Sequence, residues 1–380
     1  MKECITSNKY SIERHFSFFC EKSLLHLVCL SFMFTTLDFF FLFWSLRLII
    51  LCCTFFYFSF NFTSCGYIVK KCCIFLFSLF CCILSLHSLH FLLVVSTLIL
   101  ISRVSFRHFV DVNCFYLFTT VLLLIPLSRI GLIQSHTFLI KTGEIRDFYC
   151  FTNPNRFGSF LYAFAVFLSL FFTVRKKMLI SYCVVLGSSF FIYFRTGCRT
   201  AFIALVFQFV VSMVFRIFFV RRKRCYHFLH FFAPFERFLH IAFSLSGILL
   251  IIFSFVLSFY FSKGIMAFID LLIGRGAYLY DVVKSYSFKN LFLGYRLDTE
   301  LPLDNSYIYI LCTTNIFAYI IFSIFIYRSF KNCSVQFFVY YAPFIAAFLV
   351  YGITESLLGY YSYIALVFYF MLLKSMRGEL

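Results

Sequence analysis

Apolar runs of about 17–25 residues, separated by short polar intervals, recur along nearly the whole chain, which is the length needed to cross a bilayer as a helix. They fall at 23–41, 43–61, 71–87, 89–105, 109–127, 157–174, 178–194, 200–220, 239–260, 305–326, 335–352 and 357–373. The pattern predicts an all-α polytopic membrane protein with about twelve crossings. A membrane β-barrel would alternate apolar and polar positions with a period of two, and the runs here are continuous. The stretch 71–105 divides at Leu86–His90 into two short crossings. An even number of crossings there keeps every later basic cluster on one side.

Those clusters are Lys70/Lys71, Arg103/Arg107, Arg175/Lys176/Lys177, "RRKR" at 221–224, Arg328/Lys331 and Lys374/Arg377. Each follows an even number of crossings, as the excess of Lys and Arg in cytoplasmic loops requires. Both ends of the chain are then expected in the cytoplasm, with 1–22 as a retained tail because no small-residue cleavage site precedes the first run. Two outer segments remain, 128–156 and the larger 261–304, and residues 1–380 read as one transmembrane domain.

Composition agrees. Of the 380 residues 63% are apolar and 13% charged, against roughly 25% charged in soluble domains. The formal charge of +18 is spread between the apolar runs, so it reports membrane orientation and excludes nucleic acid as a partner. Most of the seventeen cysteines lie inside apolar runs, including the neighbours Cys52/Cys53, Cys72/Cys73 and Cys81/Cys82. Adjacent helical residues point in different directions, which argues against disulfide or zinc pairs; no metal or cofactor is expected.

The outer side is more basic than orientation alone would favour: Arg129, Lys141, Arg146, Arg156, Arg195, Arg199, Lys263, Arg275, Lys284, Lys289 and Arg296. An anionic ligand there would offset the cost. The sharpest case is "FRTGCRTAFIAL" at 194–205, where Arg195 and Arg199 stand between two apolar runs. An arginine at mid-bilayer costs about 2.5–3.5 kcal/mol on insertion scales. Four residues apart on a helix, the two guanidinium groups would share a face. Thr196 and Gly197 suggest a turn into a helix starting near Thr200, and a helix N-terminus with forked guanidinium donors suits phosphate oxygens. Snorkelling to outer head-groups is the plain alternative.

The "FRTGCRTAFIAL" stretch resembles the Ser/Thr-Gly-Ser-Arg helix start of the O-antigen ligase and Wzy-type polysaccharide polymerase superfamily, with Cys198 where that family often has Ser. Likenesses to other motifs of the family stand in its order along the chain: "FTNPNRFGSFL" at 151–161 before that stretch, and after it "LLIGRGAYLYDVV" and "NLFLGYRL" in the large outer segment, "PLDNSYIYIL", and "GITESLLG". Asp304 stands where ligases usually present a His, which favours a polymerase.

The resemblance implies a GT-C-like membrane glycosyltransferase in a bacterial cytoplasmic membrane, joining undecaprenyl-pyrophosphate-linked oligosaccharide units into a surface polysaccharide without a metal or cofactor. Its partners would be that lipid-linked donor, membrane lipid, and a chain-length regulator and flippase of the same pathway. Arg199 and Arg195 would stabilise the departing pyrophosphate, with Arg275 and Arg146 as further cations. Asp304 or Glu355 would serve the acceptor hydroxyl, although Asp304 also suits an N-cap. Asn153, Asn155 and Asn305 would contact glycan, while "NPN" is equally a helix start. A polytopic transporter or flippase for lipid-linked oligosaccharide is the rival; such proteins show related halves and helices broken at mid-depth.

Overall fold

A bilayer offers no partner to a free N–H or C=O, so long apolar runs fold as helices. The computed structural model describes residues 21–33, 36, 45–54, 72–76, 78–80, 89–139, 145–151, 154–224, 229–262, 284, 287–294, 305–331, 333–356, 358 and 362–380. The helices are α1 (21–33), α2 (Ser45–Thr54), α3 (Leu89–Leu100), α4 (Phe106–Arg129), α5 (Pro154–Val174), α6 (Met178–Thr196), α7 (Arg199–Arg224), α8 (Leu229–Ser262), α9 (Phe288–Leu293), α10 (Ser306–Tyr309), α11 (Ile316–Lys331), α12 (Val335–Tyr340), α13 (Ala342–Thr354) and α14 (Tyr363–Met376). Stretches 72–76 and 78–80 are also helical. Five of the described helices are long and apolar enough to cross a bilayer, within Phe106–Arg129, Asn155–Val174, Met178–Thr196, Arg199–Ile217 and Arg237–Leu257. A two-stranded hairpin, β1 (Thr137–Leu139) against β2 (Ile145–Asp147), occupies the segment expected as the first outer loop.

The chain divides into two units. The first comprises 1–75 and 95–152. In it Ser105 caps α4 by accepting the His108 N–H, and Asn113 turns its amide back to the Phe109 carbonyl four residues earlier (2.8 Å). The buried Glu21 carboxylate accepts the Arg103 N–H at 2.9 Å. Antiparallel pairing sets Phe138 opposite Arg146 in the hairpin.

The second unit comprises 76–94 and 153–380. Connections of only a few residues force α5, α6 and α7 to run antiparallel. Ser181 near the start of α6 meets Ser169 (2.6 Å) and Thr173 (2.9 Å) of α5, so the basic turn 175–177 lies at one end. Phe215 of α7 contacts Phe243 of α8 and Phe338 of α12 at that end. There too His240 meets the Phe330 carbonyl (3.0 Å), and Ser329 and Ser375 tie α11 to α14. The clusters at 175–177, 221–224, 328/331 and 374/377 thus gather at one end of this unit. The starts of α5, α7, α10 and α14 and the ends of α6, α8 and α13 form the other.

The three largest departures from the sequence pattern lie in the second unit. Helix α8 begins at Leu229 rather than near 239, because the polar residues around Glu236 lower hydropathy without stopping a helix and Pro234 falls close to its start. The run at 335–352 is divided between α12 and α13 at Tyr341. The run at 305–326 is not one span: α10 passes into a π turn, Ile310–Thr314, and the helix restarts as α11 after Asn315, whose φ and ψ are 156° and 173°.

Candidate functional site

The site is built where the α6–α7 turn meets the end of α13. Helix α6 stops because Gly197 takes a left-handed conformation (φ 68°), with its N–H on the Tyr193 carbonyl (2.9 Å). Thr196 donates its hydroxyl to the Ile192 carbonyl (2.8 Å) and accepts the Cys198 N–H (3.0 Å). The turn is therefore fixed from both sides, and α7 starts at Arg199. Arg195 and Arg199 are both half-buried, one in the last turn of α6 and the other in the first of α7. The expectation that they share one helical face is corrected: the Gly197 turn separates them, and what holds is the turn leading into a helix start.

Helix α5 brings its first turns against this hairpin. A Cβ on Gly158 would stand 2.5 Å from Cys198 Cβ and 2.8 Å from its Sγ, so only glycine lets the two segments approach so closely. One residue on, Ser159 hydrogen-bonds the Tyr351 hydroxyl of α13 (2.7 Å), and Tyr162 stacks on the Tyr351 ring at 4.5 Å.

One turn beyond Tyr351, Glu355 closes α13 as its C-cap in extended conformation and is only 8% exposed. The Thr200 hydroxyl donates to Glu355 Oε1 at 3.1 Å. Cys198 Sγ lies 3.3 Å from the Thr200 oxygen, and since that hydroxyl's single proton points at Glu355, the thiol is the donor. Thiol, hydroxyl and carboxylate form a chain of three. Burial, then the Glu355 charge, push the Cys198 thiol above its ordinary value, so it is a neutral donor at physiological pH rather than a thiolate nucleophile. The carboxylate sits at the negative end of α13, which disfavours it, and at the positive start of α7, which favours it.

The backbone of this turn is held by α10. Ser306 donates to the Glu355 carbonyl (2.5 Å) and accepts the Leu358 N–H (3.1 Å). Asn305 caps α10 through the N–H groups of Tyr307 and Ile308 and gives both amide protons away, to the Ile353 carbonyl (2.9 Å) and Ser254 (3.0 Å). All four of its hydrogen-bonding positions are taken, so Asn305 holds the fold and has none left for glycan. The cap expected at Asp304 is thus supplied by Asn305.

Arg195, Arg199 and Glu355 are accordingly brought to one end of the second unit. Asn155 is half-buried in the first turn of α5. Arg146 lies on β2 in the first unit. Asn153, Arg275 and Asp304 lie outside the described residues. Sequence reasoning did not select Thr200, Ser306, Gly158 or Tyr351, although Thr200, Gly158 and Ser306 stood in segments already singled out. No protein family, curated protein or solved structure matches the chain.

Proposed function

We propose that this chain is a GT-C-like membrane glycosyltransferase with about twelve crossings, polymerising undecaprenyl-pyrophosphate-linked oligosaccharide repeat units into a surface polysaccharide at the outer face of a bacterial cytoplasmic membrane. The observation that carries the reading is the Thr200–Glu355 contact. It brings the hairpin bearing Arg195 and Arg199 to a buried carboxylate 155 positions away in sequence. The clustering of basic residues at the opposite end supports an outward-facing site by the charge rule for cytoplasmic loops.

In the proposed reaction an acceptor sugar hydroxyl attacks the anomeric carbon of the donor. The bond from that carbon to the pyrophosphate oxygen breaks, and the hydroxyl proton passes to Glu355. Arg195 and Arg199 offset the charge that develops on the departing diphosphate; loss of one such donor costs about 10²–10³ in rate in characterised enzymes. The lipid-linked donor and bilayer lipid are the partners this chemistry needs, with a flippase and a chain-length regulator acting before and beside it.

The test is glycan length in cells carrying Arg199→Ala or Glu355→Gln at normal expression. Single repeat units without long chains are expected; an unchanged ladder refutes the reading. One observation favours a flippase-type transporter instead, the helix interrupted at Asn315, since broken helices mark transporter sites. Precursor held on the cytoplasmic face of a deletion strain would select that alternative.

A further inference from the structure

The break between α10 and α11 concentrates three departures from ordinary helix structure within six residues. Ile310–Thr314 is a π turn, which accommodates one residue more than an α turn. Asn315 follows with φ 156° and ψ 173°, a region almost reserved for glycine. Its side chain is fully buried, with Oδ1 accepting the Ala318 N–H at 3.0 Å while Nδ2 has no partner. A buried donor left unpaired and a strained backbone both raise the energy of this arrangement.

A continuous helix would relieve all three. With the extra residue absorbed into α geometry, Asn315 takes helical angles and its amide can reach the carbonyl four residues back. Asn113 shows that solution in this same chain, donating to the Phe109 carbonyl at 2.8 Å. Absorbing one residue also turns everything before the break by about 100° and moves it about 1.5 Å along the axis. The segment displaced is α10, whose Asn305 and Ser306 hold Ile353, Glu355 and Leu358. The clamp on the Glu355 turn and the strain at Asn315 are therefore properties of one register.

We propose that Ile310–Asn315 is a register switch: in the π form it clamps the turn that carries Glu355, and in the α form it withdraws Asn305 and Ser306 and releases that turn. The switch operates whichever reaction the site performs, because it acts on the position of the carboxylate relative to Thr200.

Amide hydrogen exchange on the full chain in lipid nanodiscs tests it. The Leu358 N–H, bonded to Ser306, reports the clamp, and the Leu366 N–H, bonded within its own helix to Ser362 (2.9 Å), is the control. Asn315→Ala holds φ 156° only with strain and is a strong helix former, so it favours the α form with every residue retained; Leu358 exchange is expected to rise about tenfold or more with Leu366 unchanged. Asn315→Gly accepts the observed backbone angles without strain and favours the π form, slowing Leu358 exchange about tenfold. A folded Asn315→Ala variant with unaltered Leu358 exchange overturns the proposal. So does failure of Asn315→Gly to slow that exchange, including where Asn315→Ala does not fold.

Discussion

Gly158→Ala probes the approach of α5 to the α6–α7 turn most directly. The added carbon would lie 2.5 Å from Cys198 Cβ, 2.8 Å from Cys198 Sγ and 3.3 Å from Thr196 Oγ1, where carbon pairs normally rest at about 3.5–4.0 Å. One segment must therefore retreat by about 1 Å. Overpacking of this kind costs about 1–3 kcal/mol, which lowers the unfolding temperature by a few degrees. The functional cost is larger. Cys198 is two residues from Thr200, and a shift of about 1 Å stretches the 3.1 Å bond to Glu355 past hydrogen-bonding range. Misplacement on that scale can cost about 10² in rate. Glycan ladders from the variant should shorten sharply, and detergent-solubilised protein should unfold at lower temperature.

The rescue is specific: Cys198→Gly removes both crowded atoms and restores the double variant, whereas Cys198→Ala leaves the 2.5 Å contact and does not. Wild-type behaviour of Gly158→Ala in both assays, or equal rescue by the two Cys198 variants, would refute the packing argument.

Thr200→Val leaves the Glu355 carboxylate without that hydroxyl and should destabilise by about 1–3 kcal/mol, while Thr200→Ser keeps the bond and stays within about 1 kcal/mol of wild type; denaturant titration separates them. Tyr351→Phe removes the Ser159 bond but keeps the stack on Tyr162, for a loss of about 1 kcal/mol in the same titration. The folded chain holds the Cys198 thiol above its ordinary value of 9.0, so its contribution to stability is complete below pH 9.0 and falls as pH rises through the folded value. Thermal unfolding across that range should show a smaller alkaline decline for Cys198→Ser than for wild type; identical slopes would contradict this.

The α6–α7 hairpin was legible in the sequence because its signals are local. Gly197 ends one apolar run, and Thr196 and Arg199 bracket a turn with no room for another element. The break at Asn315 was not, because a single Asn hardly alters the hydropathy of 305–326 and π geometry depends on what the turn packs against. Neither was the Ser306–Glu355 tie: 49 residues separate the two, and nothing in the spacing joins a serine hydroxyl to a distant main-chain oxygen. Glu355 stands in the "GITESLLG" motif, whereas Asn305 was assigned to ligand because its role as a clamp appears only once Ile353 and Ser254 are beside it.

Ser306 grips residue 355 by its main-chain oxygen, and the same hydroxyl receives the N–H of Leu358. The perch is thus indifferent to what it carries. Evolution could exchange the acidic group for an amide or imidazole without re-engineering the bundle, so relatives sharing this scaffold could diverge in chemistry through one codon while keeping the architecture that aims it.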